Sequence, residues 1–257
     1  MYRQITVDEH KRYLGLPKDY SVSGFLCHGT WKRDEEIANL KQALTELDLN
    51  FKINAFPDSS FLRRMVEIKI GDKKIWFDIP YGGAMLSEFL HLACLLGSKK
   101  NIVIGSCGGL STNLNVCDVI LPSWSYGDES STRMYEPKNK NNRHCPDKKL
   151  VNNLKTRLET KYKIFEGPTT TCEAMLAESE EDVKTWSKEG YLGVEMEAAT
   201  VFAVSNHFKV PSAAILLVGD NLIKKESVLQ KNYLKMAGKR KEIRQEFLKT
   251  AIKEILD

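Results

Sequence analysis

Residues 193–220, GVEMEAATVFAVSNHFKVPSAAILLVGD, restrict the fold more than any other stretch of this chain. They read as a glycine entry, a buried helix with Glu195 and Glu197 at its mouth, and a buried strand ending in a third acid, Asp220. Carboxylates set among Gly193, Val194, Met196 and an Ala-Ala pair are costly to bury unless each has a partner. The apolar run over 212–218 suits a strand covered on both faces. It stops at Gly219-Asp220-Asn221, so an acid lies just past a strand's carboxyl end, where open α/β sheets bind ligands.

The rest of the chain agrees with an α/β reading. Residues 23–27 predict a short buried strand running into His28-Gly29-Thr30 and a helix with the apolar stripe Ile37, Leu40, Leu44, Leu47. A glycine between strand and helix lets backbone N–H groups gather round an anion, and Arg33 stands at that helix's start. Residues 66–70 and 75–79 predict a hairpin, with Arg63 and Arg64 just upstream. Pro80-Tyr81-Gly82-Gly83 opens an apolar helix over 84–96. A strand over 101–104 runs into Gly105-Ser106-Cys107-Gly108-Gly109, small residues that let a ligand approach the backbone. It is not a dinucleotide fingerprint, since G-x-G-x-x-G is absent. A strand over 118–121 is expected to close at Pro122, the polar span 123–145 to form a long loop serving as a lid or an oligomer contact, and Pro146 to begin the next helix. Residues 1–20 read as an irregular arm, Trp31 as a core residue, and the last helix carries stripes through Ile243, Phe247, Ala251 and Ile255. His28 is expected to bond to backbone, and His91 to be a satisfied core residue.

Length and composition narrow the function classes. A chain of 257 residues, 42% apolar and 28% charged, is expected to form one domain over 1–257 with a sizeable core. No apolar run reaches the ~18 residues of a membrane span, and the start MYRQITVDEHKRY is too polar for a signal peptide. Six scattered cysteines without a C-x-x-C pair suit reduced thiols and a cytoplasmic location, and no metal site is expected. Residues 224–257 hold ten Lys/Arg against five Asp/Glu, so with a net charge of +4 the remainder is nearly neutral. That basic stretch mixes acids with its bases and lacks interleaved aromatics, which favours a solvated helix face over nucleic-acid binding.

Taken together, several stretches resemble the nucleoside phosphorylase family of the purine nucleoside and uridine phosphorylase type, in its hexameric branch. Gly193-Val194-Glu195-Met196-Glu197-Ala198-Ala199 resembles its ribose-binding signature, and Val218-Gly219-Asp220-Asn221 its catalytic-acid strand end. Residues 104–109 resemble its phosphate-site strand, Gly29 with Arg33 its phosphate loop, and Tyr13-Leu14-Gly15-Leu16 its N-terminal arm. The resemblance implies a three-layer α/β/α domain whose central mixed sheet is partly barrel-like and flanked by helices. It implies phosphate-dependent cleavage of a nucleoside to free base and (deoxy)ribose 1-phosphate, with inorganic phosphate as co-substrate, no cofactor, and self-association to a dimer or hexamer.

Carried over residue by residue, the resemblance makes Asp220 the acid at purine N7. Glu197, Met196, Glu195 and Tyr13 become ribose contacts, and Gly29, Arg33, Ser106, Arg63 and Arg64 phosphate contacts, one of the last pair reaching from a neighbouring subunit. Cys107, Gly108, Cys172, Met175, Val194 and Asn221 become the base pocket. Three positions depart from the family. Val103 stands where phosphate users carry arginine, Tyr13 where the arm offers histidine, and Met175 where an aromatic lies against the base. An acid at 220 leans toward purines. The chemistry fits these residue types. A departing base needs a proton from an acid of raised pKa, the ribose needs an ionised carboxylate accepting from its vicinal hydroxyls, and the nucleophile needs backbone N–H groups and guanidinium groups. Hydrolysis by a nucleosidase, which Val103 favours, and a catalytically silent nucleoside-binding protein are the alternatives.

Overall fold

A computed structural model describes residues 4–226 and 234–257. Ten strands join in one mixed sheet in the order β10-β6-β8-β9-β5-β1-β4-β3-β2, with β7 on β6. The strands are β1 (Gly24–His28), β2 (Phe51–Ala55), β3 (Val66–Ile70), β4 (Lys73–Asp78) and β5 (Asn101–Gly109). They continue as β6 (Val119–Tyr126), β7 (Arg143–His144), β8 (Ile164–Thr171), β9 (Gly193–Glu195) and β10 (Ser212–Asn221). β10 also pairs in parallel with β5 from Ser212 to Asn221, so β5, β10, β6, β8 and β9 close a small barrel. Cys107, Ile120, Leu216 and Val218 pack into one small apolar cluster among these strands.

Helices cover both faces. One apolar cluster joins the sheet to α2 (Arg33–Glu46), α5 (Lys148–Leu158) and the C-terminal helix α8 (Ala237–Leu256), through Leu40, Leu44, Leu154, Phe247 and Ile252. The other joins it to α3 (Gly83–Leu95) and α7 (Ala198–Phe208) through Leu86, Phe89, Val201 and Phe202. This is the expected three-layer α/β/α arrangement with a partly closed sheet, and it follows from the sequence patterns. α5 buries Leu150, Val151, Leu154 and Leu158, the helical spacing of one apolar stripe. β5 and β10 are buried nearly throughout, as strands sheltered on both faces must be.

Several expectations need correction. The arm is not irregular. Thr6 and Glu9 form a capping box that starts α1 (Val7–Tyr13), while residues 1–3 of the expected arm lie outside the described residues. β2 was not foreseen, although Phe51-Lys52-Ile53-Asn54-Ala55 alternates apolar and polar as a half-buried strand does; it pairs antiparallel with β3. β6 does not stop at Pro122, because the ladder to β8 shifts register between Pro122 and Trp124 and the irregularity absorbs the missing N–H. The span 123–145 therefore holds the end of β6, the short helix α4 (Ser130–Tyr135) and β7. Helix α5 starts at Lys148, with the Asp147 side chain accepting from the Leu150 amide at 2.8 Å. Asp220 lies inside β10, not beyond it. Trp31 is 68% exposed, its ring edge-to-face with that of Tyr81. Of the basic stretch 224–257, residues 227–233 lie outside the described residues. Among the described residues no helix is long and apolar enough to cross a membrane.

Candidate active site

The strand ends and two helix N-termini meet around Glu197. α7 begins there, with Glu197 as its N-cap residue. The capping itself is done by Glu195, whose Oε2 accepts from the amides of Glu197 at 2.8 Å and Ala198 at 2.7 Å. Its Oε1 accepts from the Thr171 hydroxyl at 2.5 Å, and the Thr171 oxygen accepts in turn from the Ala199 amide at 3.0 Å. An anion at a helix N-terminus is well served by such donors. Burial raises the Glu195 pKa and these hydrogen bonds oppose it. Glu195 is therefore tied into the fold, and both oxygens are occupied.

Glu197 is freer. It is 6% exposed, and its Oε1 accepts from the Gly82 amide at 2.9 Å. Burial, with the nearby Glu195 charge, pushes its pKa up to about 8. Its carboxyl is therefore largely protonated at neutral pH. The sequence reading had it ionised, a state that would need further donors besides the Gly82 amide. Two glycines make room for it. A Cβ on Gly29 would lie 2.3 Å from Glu197 Oε2. Gly82 sits at φ +90°, a conformation only glycine adopts freely, and holds its amide toward the carboxylate. A Cβ there would meet the Met196 Cε at 3.8 Å, which places the Met196 side chain at the same entrance. The next amide, Gly83, donates to Glu173 Oε1 at 3.2 Å.

Asp220, 9% exposed, lies in a row that crosses four strands: Asp220 on β10, Gly108 on β5, Val194 on β9 and Thr170 on β8. The β10–β5 ladder shifts between Val218 and Asp220, a bulge that re-aims side chains at the strand's carboxyl end. Cys172, past the end of β8, donates its amide to the Glu195 carbonyl at 2.7 Å. Gly108 and Val194 thus share one row with Asp220, while Cys172 is tied through its backbone to Glu195, whose side chain points to the other face of β9. Met175 is 37% exposed, with the Tyr81 hydroxyl 4.0 Å from its sulfur. Trp31, Tyr81 and Met175 form an exposed rim. Glu178 was missed by the sequence reading. Burial, then the charges of Asp220 and Asp182, push its pKa up to about 7, so two carboxyls share this end of the site.

Arg33 donates to the Arg64 carbonyl, which joins the start of α2 to the turn before β3. Arg63 and Arg64 have exposed side chains, and Ser106 is the exposed residue of β5. His28 bonds not to backbone but to Glu36 Oε2 at 2.7 Å, both side chains buried, pinning β1 to α2. Other expected residues lie elsewhere. Val103 is fully buried. The Cys107 thiol packs among Leu114, Ile120 and Val218, and burial, then Glu195 and Asp220, keep it protonated. The Asn221 amide is spent on the carbonyls of Ser111 and Leu114, both at 2.9 Å. Tyr13, 78% exposed, lines a groove of about 1040 Å³ with Phe61, His91 and Met134, apart from the carboxylates. His91 sits there against the Tyr135 hydroxyl at 2.9 Å. Among the described residues no three His, Cys, Asp or Glu side chains are grouped to hold a metal ion.

Comparison with known proteins supplies the family context. The sequence model of the phosphorylase superfamily matches residues 34–253. A DeoD-type purine nucleoside phosphorylase of Buchnera aphidicola is 25% identical over 134 residues, which span 52% of this chain and 57% of that protein. A guanosine phosphorylase of Halorubrum lacusprofundi is 31% identical over 129 residues, 50% of this chain and 53% of that one. In fold the chain is similar to a uridine phosphorylase from Vibrio fischeri, with a TM-score of 0.68 over 91% of both chains at 17% identity.

Proposed function

Since this chain belongs to the phosphorylase superfamily, we propose that it is a purine nucleoside phosphorylase, cleaving the N-glycosidic bond with inorganic phosphate to give free base and (deoxy)ribose 1-phosphate. The observation that carries this reading is the carboxylate pair at the strand ends: Glu197 in its cleft between Gly29 and Gly82, and Asp220 in the row with Gly108 and Val194.

In this reading Glu197 grips the ribose. Vicinal hydroxyls donate to its two oxygens and favour the anion, so the proton that burial keeps on it leaves as the sugar enters. Glu195 and Thr171 do not touch substrate; they fix the start of α7, and with it the Glu197 backbone. Met196 packs beside the sugar. Asp220 donates to the ring nitrogen of the departing base, while cleavage leaves positive charge on the sugar, as in glycoside hydrolysis. Gly108, Val194, Cys172 and Met175 border the base. Gly29, Arg33, Ser106 and an arginine of the 63–64 pair hold the phosphate under C1′, where backbone and guanidinium donors offset its charge. Tyr13, distant from these carboxylates within one chain, serves a neighbouring subunit's sugar.

A hydrolytic reading has one observation in its favour: the fully buried, apolar Val103 supplies no charge to the anion. Incubation with inosine, adenosine, uridine and 5′-methylthioadenosine, with and without phosphate, separates the two. Ribose 1-phosphate formed from the purine nucleosides supports phosphorolysis; free ribose formed equally without phosphate overturns it.

A further inference from the structure

One row of residues crosses four strands beneath the proposed anion end. Asp78 on β4, Cys27 on β1, Val103 on β5 and Ala214 on β10 are successive register partners. Cys27, Val103 and Ala214 belong to the core cluster under α3 and α7. Asp78 faces the same side, since it stands two residues after Trp76 of that cluster and side chains alternate along a strand. The row holds no cation. It holds a buried carboxyl instead.

Asp78 is 2% exposed. Its Oδ1 accepts from the Ile79 amide at 2.9 Å, while the buried Oδ2 has no hydrogen-bond partner among the described residues. A buried polar atom left unmatched is costly, so in a native fold it marks a place that a proton, a water or a ligand completes. The charged and titratable groups around it come from several elements. Arg33 of α2 and Arg64 of the turn before β3 both favour its ionised form, but burial outweighs them and pushes the pKa up to about 7. Cys27 on β1 is a neutral thiol, kept so by burial and by Asp78, Glu197 and Glu195. On β3, Glu67 is already engaged by the Tyr20 hydroxyl and by Asn54. The side chains that α3 buries in this cluster include Leu86, Phe89, Leu90 and Ala93.

We propose that Asp78 belongs to the anion end: its carboxyl is neutral when an oxyanion is bound and donates to it from Oδ2, so that anion binding takes up a proton. The inference rests on the phosphate-binding half of the function proposed above. Its logic is reciprocal. An anion between Arg33 and Arg64 cancels the attraction that favours ionised Asp78, and the proton on Asp78 removes the repulsion that would oppose the anion. With no guanidinium at position 103, a protonated acid supplies the donor.

Inorganic sulfate tests this without a titrating ligand, because it stays a dianion across the relevant pH range. For the wild-type protein the sulfate dissociation constant rises about tenfold between pH 7 and pH 8.5, as linkage to one proton requires. For Asp78→Asn, whose amide donates but does not ionise, the rise is at least halved, and what remains belongs to the Glu197 carboxyl beside Gly29, which also titrates in this range. Calorimetry of the wild type in two buffers of different ionisation heat should also show close to one proton taken up per sulfate at pH 8. Equal pH slopes in the two proteins, or no proton uptake, overturn the proposal. Phosphate-requiring nucleoside cleavage alongside a pH-independent sulfate affinity leaves phosphorolysis standing and removes Asp78 from it. Cleavage indifferent to phosphate fails the other way.

Discussion

Glu197→Gln separates what the acid costs the fold from what it gives the site. Burial and the Glu195 charge lift the Glu197 carboxyl from its ordinary 4.5 to about 8. At about 1.4 kcal/mol per pH unit, that displacement is worth about 5 kcal/mol once the group is forced to ionise in the folded protein. The sign follows from which state holds the proton more tightly. The folded state does, so its stabilising contribution is fully present below 4.5 and is lost as pH rises through about 8. The glutamine variant cannot lose it. Its carboxamide oxygen still accepts from Gly82, and its shape suits the cleft beside Gly29. Urea unfolding at pH 5, 7 and 9 should therefore show the variant gaining on the wild type by about 3–4 kcal/mol between the extremes. Over the same series kcat/KM on a purine nucleoside should fall about 10- to 100-fold, the loss of a charged hydrogen bond of about 1.5–3 kcal/mol. Parallel pH–stability curves for the two proteins would refute the reasoning, because a Glu197 of ordinary acidity leaves no pH-dependent gain.

Asp220→Asn should lower kcat/KM on purine nucleosides by about 10²–10⁴-fold, the usual contribution of a general acid; unimpaired turnover would remove Asp220 from the chemistry. Gly29→Ala places a methyl 2.3 Å from Glu197 Oε2. It should abolish activity while circular dichroism stays that of a folded protein, and a fully active alanine variant would mean that the carboxylate is not held there during the reaction. Thr171→Val removes the donor to Glu195 and the acceptor for Ala199. A loss of about 1–3 kcal/mol in urea unfolding is expected for such an unmatched buried pair, and an unchanged midpoint would contradict the capping role.

The layers of this fold were legible because its long elements carry strong periodic signals. α5, α7 and β10 each declare one buried face or two. What escaped had two causes. β2 carries a period-2 pattern in Phe51-Lys52-Ile53-Asn54-Ala55 that was passed over, whereas β6 survives Pro122 only because a register shift against β8, distant in sequence, accommodates it. The acids at 195 and 197 were found from cost, as carboxylates among apolar residues, and Asp220 from its place at the end of a buried strand. Their division of labour was not, since Glu195 and Glu197 differ only in which amides face them. Asp78 and Glu178 gave no sequence signal. Asp78 ends an ordinary hairpin strand, and Glu178 sits among acids before a helix, so only tertiary packing sets them beside Arg33, Arg64 and Asp220.

A crystal of the protein soaked with a purine nucleoside bears most directly on the central idea, that one substrate spans both carboxyl groups. The expected density has the ribose hydroxyls within hydrogen-bonding distance of Glu197 and the purine N7 within hydrogen-bonding distance of Asp220, with the base along Gly108 and Val194. A nucleoside bound elsewhere, or bound with either side chain turned away from it, would contradict the account.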